Sequence, residues 1–132
     1  MRGEMFRRVE AAGFGDIRPL HGCVFRNVDE KGLRLTEIAE RSRITKQAVG
    51  EVVSDLAELG YVERAPDPDD RRAKLIRLTD RGREAQGVAV QAMADIEAEW
   101  GERIGTDRIA AVRAGLMDVV AERFAADLAR AA

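Results

Sequence analysis

The sequence predicts a mostly α-helical chain with one small β-hairpin. Apolar residues recur at helical spacing in several segments, whereas residues 61–78 change to short runs rich in strand formers. The chain has 132 residues, of which 45% are hydrophobic and 35% are charged. This length and composition favour a folded, helix-rich domain and argue against disorder.

The composition also excludes several classes of protein. Cys23 is the single cysteine, so neither a disulfide framework nor a cysteine metal site is expected. No apolar run approaches the roughly 20 residues of a membrane span, and the first residues lack the apolar core of a signal peptide. We therefore expect a soluble, cytoplasmic protein without a membrane partner. The net charge of −2 does not decide whether nucleic acid is bound, because phosphate contacts need only a local basic patch.

The first part of the chain predicts two helices. Residues 1–12 place Met5, Phe6 and Val9 on one side of a short helix, which "AGFGD" ends. Pro19 suits the first turn of a second helix, "RPLHGCVFRNV", because its fixed φ is compatible with a helix start.

Two closely spaced helices follow. Thr36 is the predicted N-cap of the first, which ends near Ser42, and Thr45 is the predicted N-cap of the second, "TKQAVGEVVSDLAEL". Gly60 stands where a left-handed C-terminal cap is expected. Only about three residues separate the two helices, as in a helix-turn-helix. The small and apolar residues that would fill the angle between them are Ile38, Ala39, Ile44, Val49 and Val52.

A β-hairpin is predicted next, with strands "YVERA" and "AKLIRL" and a long polar tip, "PDPDDRR". The tip carboxylates Asp67, Asp69 and Asp70 could be metal ligands, but beside prolines they are also good turn residues. The cations that follow could contact phosphates, or the whole segment could be a solvated loop. Thr79 is the predicted N-cap of the next helix.

The remaining chain predicts two further helices, which "GERIGTD" separates. The first begins near Arg81 and has Val88, Met93, Ile96 and Trp100 on one side, with Trp100 interpreted as a packing residue. The second begins near Asp107. Its apolar stripe contains Ile109, Val112, Leu116, Val119, Val120, Phe124 and Leu128.

Helix, tight turn, helix and hairpin together form a winged helix-turn-helix. The segment "LRLTEIAERSRITKQAVGEVVSDLAELGYVERAPDPDDRRAKLIRLTDRG" resembles the MarR family of transcriptional regulators, above all in "ITKQAVGEVVSDLAELGYVER" and "DPDDRRAKLIRLTDRG". The likeness covers about residues 18–85, and the flanking helices match in layout only. The chain departs from the family's pattern in its short first helix and in Arg43, which stands where the turn often carries glycine.

The resemblance implies a homodimer that binds double-stranded DNA at a palindromic operator, as a repressor and without a cofactor or metal. It implies dimerisation helices at residues 1–17 and 101–132, and a DNA-binding lobe with a connecting helix at residues 18–100. Arg72 matches the wing-tip arginine that enters the minor groove, and Asp70 matches an aspartate that would pair with an arginine and hold the tip. Gln47 could read adenine in the major groove, although a solvated polar face is the alternative. The full set of expected DNA-contacting residues is Thr36, Thr45, Lys46, Gln47, Gly50, Ser54, Asp70, Arg71, Arg72 and Lys74.

Three residues of the predicted helix "RPLHGCVFRNV" are candidates for control by a ligand or by oxidation. His21 and Phe25 could line a site for a small aromatic ligand of the kind the family binds, and a packed or surface histidine is the alternative. Cys23 could sense peroxide, but a buried structural thiol fits its position better. With a single histidine and a single cysteine, no nucleophile–base arrangement emerges, so an enzyme is not expected.

A rival interpretation is a winged-helix module that binds protein and not specific DNA. The acidic C-terminal part of the chain favours it, whereas the arginine-rich hairpin and the polar start of the helix "TKQAVGEVVSDLAEL" oppose it. The two interpretations differ in whether the chain shows salt-dependent affinity for DNA.

Overall fold

The computed structural model describes residues 1–131, with all side chains except those of Phe124, Leu128 and Ala131. The helices are α1 (Arg2–Ala11), α2 (Gly22–Phe25), α3 (Leu35–Ser42), α4 (Lys46–Glu58), α5 (Asp80–Ile104) and α6 (Thr106–Ala131), and a 3₁₀ turn spans Pro19–His21. The strands are β1 (Leu33–Arg34), β2 (Val62–Asp67) and β3 (Asp70–Leu78). The predicted fold class, mostly α with a small β wing, is confirmed. The chain forms two compact units, Met1–Ala92 and Met93–Ala132.

The wing is a three-stranded antiparallel sheet in the order β1-β3-β2. The predicted hairpin is formed by β2 and β3, and the structure places Val62 opposite Leu78. Its tip is shorter than expected and leaves only residues 68–69 between the strands. The sequence prediction missed β1, which is two residues long and places Leu33 opposite Ile76. A run this short carries no alternating pattern, so only its pairing with β3 makes it a strand.

The helix-turn-helix consists of α3 and α4. Thr45 is the N-cap of α4, as predicted, and its Oγ1 accepts a hydrogen bond from Ala48 N–H at 3.1 Å. The prediction that Thr36 caps α3 is wrong: the N-cap is Arg34, two residues earlier, and the Glu37 carboxylate accepts the Arg34 N–H at 2.9 Å. Arg43 ends α3 with φ 55° and ψ 40°, the left-handed conformation in which glycine is usual. The turn therefore keeps its usual shape with an arginine.

The core of the first unit holds α4 by its inner face. Val49, Val53 and Leu56 of α4 are fully buried, together with Ile38 of α3 and Ile76 of β3. Gly60 follows α4 with φ +84°, which confirms the predicted left-handed cap. Because the inner face of α4 is fixed in this way, its opposite face remains at the surface.

The second unit contains the end of α5 and all of α6. Helix α5 runs further than predicted, and Gly105, with φ +104°, is the single residue between the two helices. Arg113 and Glu97 form an ion pair within this unit.

Most of the predicted stripe of α6 is exposed, whereas Ile109 is half-buried. The side chains of Phe124 and Leu128, also assigned to the stripe, lie outside the described part of the chain. The large exposed apolar residues of α6 are Val112, Leu116, Met117, Val119 and Val120.

Candidate nucleic-acid interface

The outer face of α4 presents polar side chains at the start of the helix. Thr45, Lys46, Gln47 and Ser54 are exposed, and Gly50 is half-buried between them. A side chain at Gly50 would have room, because an added Cβ would come no closer than 3.9 Å to Leu35 Cδ1. The structure therefore brings together, on one face of α4, the α4 residues that the sequence selected. Thr36 is exposed on α3.

An open concave surface of about 570 Å³ lies beside this face. Arg64 of β2 borders it and donates a hydrogen bond from Nη2 to Ser54 Oγ at 3.3 Å. The surface combines amide, hydroxyl, carboxylate and guanidinium groups, so it offers both donors and acceptors. Its lining residues are Gln47, Gly50, Glu51, Ser54, Asp55, Glu58 and Arg64.

Asp67 anchors the tip of the wing. Its side chain is only 6% exposed, and its Oδ2 accepts hydrogen bonds from Arg34 Nε at 2.7 Å and Nη2 at 2.6 Å. Its Oδ1 accepts the Asp69 N–H at 2.9 Å. This backbone hydrogen bond and the Arg34 guanidinium lower the pKa of Asp67 below its ordinary value. Among the residues that the structure describes, no group of three or more histidine, cysteine or carboxylate side chains is arranged to hold a metal ion.

Within residues 1–131, Asp70 forms no direct ion pair with an arginine, in contrast to the expected pairing. Asp70 Oδ1 accepts the backbone N–H of Arg72 at 2.9 Å, which shapes the start of β3. The arginine partner belongs to Asp67 and comes from β1, a strand that the sequence did not reveal. Sequence reasoning therefore missed Arg34. The several aspartates near the tip indicated that one of them pairs with an arginine, but they did not identify which one.

The cations of the wing are exposed. Arg71, Arg72 and Lys74 form no hydrogen bond or ion pair through their side chains within residues 1–131. They lie in β3 and not in the loop where the sequence analysis placed the first two. Since side chains alternate along a strand, Arg72 and Lys74 share one face of the hairpin and Arg71 lies on the other.

His21 and Phe25 are tied into the packing of the first unit. His21 is 3% exposed, and its Nδ1 accepts the Arg18 N–H at 3.0 Å. This assigns the ring proton to Nε2, which lies 2.6 Å from Asp55 Oδ2 on α4. Phe25 packs edge-on against Tyr61, with ring centroids 5.9 Å apart. The ligand role of His21 and Phe25 stays a prediction.

Cys23 is buried in the same region, at 3% exposure. Burial raises the pKa of its thiol, because the charged thiolate is disfavoured away from water. Both observations describe a protected thiol of low reactivity.

A cluster around Tyr61 was not anticipated from the sequence. The Tyr61 hydroxyl donates to Asp16 and accepts from Arg81 Nη2 at 3.1 Å, and the Arg81 guanidinium lies 4.6 Å from the ring centroid. Arg81 also pairs with Asp16 at 3.2 Å. Burial raises the pKa of Tyr61, and its hydrogen bond to Asp16 raises it further. The cluster joins the segment after α1, the base of the wing and the start of α5.

A wing beside two helices that meet at a tight turn, with the second helix uncovered on its outer face, defines a winged helix-turn-helix. Residues 16–73 match the sequence model of the MarR family. The resemblance is thereby confirmed for residues 16–73, which have the winged helix-turn-helix fold and match the MarR model. MarR regulators are non-enzymatic, in agreement with the expectation that the chain is not an enzyme.

Some of the relatives with curated names are named as regulators. The chain is 34% identical over 70 residues to "HTH-type transcriptional regulator MT0903.1" of Mycobacterium tuberculosis, a match that covers 52% of this chain and 46% of the relative. It is 28% identical over 100 residues to "Transcriptional activatory protein BadR" of Rhodopseudomonas palustris, covering 75% of this chain and 56% of the relative. The chain thus spans about half the length of the curated relatives it matches.

Solved structures share the fold. The crystal structure of MarR superposes with a TM-score of 0.73 at 21% identity, covering 93% of this chain and 90% of the other. Streptococcus pneumoniae FabT, solved in complex with DNA, gives 0.73 at 20% identity and covers 96% and 90%. At such identities the likeness establishes the fold alone. Within residues 1–131, no helix is both long and apolar enough to cross a membrane.

Proposed function

We propose that this chain is a DNA-binding transcriptional regulator that places α4 in the major groove. The observation that carries the proposal is the division of α4 into two faces. The inner face is locked in the core by Val49, Val53 and Leu56, whereas Lys46 and Gln47 stand exposed at the start of the helix. A glutamine can hydrogen-bond adenine through both its donor and its acceptor, and a lysine can contact guanine or a phosphate.

The wing supplies the second contact in this proposal. Arg72 would enter the minor groove, where a narrow groove concentrates negative potential, and Lys74 would contact phosphates from the same face. Arg71 would reach phosphates from the opposite face of the hairpin. The Arg34–Asp67 pair supports the proposal because it holds the hairpin tip in one position before DNA is bound.

The proposed regulator is a homodimer. The uncovered apolar side chains of α6, among them Leu116 and Val120, form the kind of surface that monomers rarely expose. Residues 1–17 and 101–132 are the proposed dimerisation segments. A two-fold axis would present two copies of α4 at sites about 34 Å apart along DNA, so the operator would be palindromic.

Repression is the proposed direction of control, and a small aromatic ligand near His21 and Phe25 would relieve it. Such a ligand would have to bind better to a form of the dimer that does not fit DNA. Its entry would disturb the contact of Phe25 with Tyr61 or of His21 with Asp55, because both side chains are engaged. A reporter gene under the chain's own upstream DNA distinguishes repression from activation, and simple phenolic acids added to it test for relief.

The proposed function is tested by fluorescence anisotropy with duplexes from the DNA that flanks its own gene, titrated at several salt concentrations. Specific binding should weaken steeply with salt and should be lost on scrambled duplexes. Arg72→Ala should cost about 1–3 kcal/mol of binding free energy. Arg77→Ala is the matched control, since Arg77 is an exposed arginine near the other end of β3. A chain with no salt-dependent DNA affinity would instead be a protein-interaction module.

A further inference from the structure

Glu51 occupies the centre of the exposed face of α4. It lies one turn after Gln47, and both side chains line the concave surface beside α4, which Arg64 borders. Residues four apart on a helix are neighbours on one face. Any molecule that contacts Gln47 along the helix axis therefore also meets Glu51.

The Glu51 carboxylate has no partner within the described chain. No hydrogen bond or ion pair involves it within residues 1–131, whereas Asp55, one turn further along α4, is engaged by His21. Glu51 is exposed. A carboxylate in this position faces the polyanion that the proposed function brings to α4, and it lowers affinity wherever it meets only phosphates and base acceptors.

Base edges in the major groove differ in what they offer a carboxylate. Cytosine presents its N4 amino group as a donor, which glutamate and aspartate accept, whereas guanine O6 and thymine O4 are acceptors that repel a carboxylate. Adenine also offers a donor, its N6 amino group, but the neighbouring N7 acceptor repels the second carboxylate oxygen. An unpaired carboxylate on the reading face of a helix therefore favours cytosine over the other bases.

We propose that Glu51 is a specificity-determining residue that accepts a hydrogen bond from the N4 amino group of a cytosine in the major groove; this inference rests on the proposed function. The spacing also locates the base. Four residues of α-helix rise about 6 Å, and base pairs are spaced about 3.4 Å apart. The cytosine lies within two base pairs of the base that Gln47 contacts.

The test is selection of duplexes from a random library, followed by sequencing, with the unsubstituted chain and four variants. The unsubstituted chain is expected to enrich a motif with a cytosine that it prefers by about tenfold over other bases. Glu51→Ala should abolish the preference at that position and its symmetry mate, while the rest of the motif persists. Glu51→Gln should shift the preferred base there to adenine, because glutamine pairs with adenine N6 and N7.

Glu84→Ala is the matched control, and Glu58→Ala, at the far end of the concave surface, shows how far along α4 the effect of charge extends. Glu84→Ala removes the same charge as Glu51→Ala from an exposed position on α5, outside the concave surface. Glu84→Ala should leave the motif unchanged. If Glu51→Ala keeps the full motif, or merely strengthens binding to all sequences equally, the inference is overturned and the proposed function stands. If the unsubstituted chain enriches no motif at all, the proposed function fails together with the inference.

Discussion

Gly82 is the residue whose substitution the structure predicts most directly. It lies in the first turn of α5, where a Cβ would come within 2.1 Å of the Tyr61 carbonyl oxygen and 3.2 Å of Leu78 Cβ. The Tyr61 carbonyl cannot easily turn away, because it accepts the Thr79 N–H at 3.0 Å. Thr79 in turn caps α5 by accepting the Gly82 N–H at 3.1 Å, as the sequence predicted.

The expected effect of Gly82→Ala is a balance of three contributions. Alanine stabilises a helix by about 1 kcal/mol relative to glycine. Overpacking costs typically about 1–3 kcal/mol, and loss of the Thr79–Tyr61 hydrogen bond costs about 1 kcal/mol more. We therefore expect Gly82→Ala to lower the free energy of unfolding by about 1–3 kcal/mol, the clash outweighing the helix propensity.

Gly87→Ala is the matched control, because Gly87 lies in the same helix and a Cβ there would meet no atom within 4 Å. It should raise the free energy of unfolding by about 0.5–1 kcal/mol. Both variants are compared with the unsubstituted chain by urea denaturation, followed by circular dichroism. Equal midpoints for the two alanine variants would refute the close approach of α5 to the Tyr61 carbonyl.

Three further predictions address the Tyr61 cluster, the thiol and the proposed dimer. Tyr61, the single tyrosine, should show a pKa above its ordinary value when titrated by near-ultraviolet absorbance, and Asp16→Asn should lower that pKa. Because the pKa is higher in the folded chain than in the unfolded chain, the stability that the protonated hydroxyl contributes is lost as pH rises beyond the unfolded pKa. An ordinary pKa for Tyr61 would contradict the buried hydrogen bond. Cys23 should resist a thiol reagent at neutral pH in the folded chain and react at once in denaturant, and fast labelling of the folded chain would contradict its burial. Leu116→Glu should convert the proposed dimer into monomers in analytical ultracentrifugation with helix content unchanged, and a dimer that survives it would place the interface elsewhere.

The sequence itself determined the elements whose signals are local. The apolar period of α4, the Thr45 cap and Gly60 define that helix from beginning to end, because helical neighbours lie only three or four residues apart. The hairpin could be predicted for the same reason, since the change from helical spacing to short runs of strand formers and the prolines mark it within a short stretch. The predicted DNA-contacting residues of α4 depended on this local pattern, so the structure places them on one face.

The tertiary structure decided which distant side chains meet. Arg34 and Asp67 pair across 33 residues, and Tyr61 and Asp16 pair across 45, although nothing in their local sequence distinguishes them from other polar residues. The start of α3 was decided in the same way: pairing of β1 with β3 fixes the chain as far as Arg34, so the helix begins before Thr36. Such contacts depend on how the loops bring the elements together. That arrangement is a property of the whole core, because the side chains of an element are oriented only when its buried face packs against the other elements.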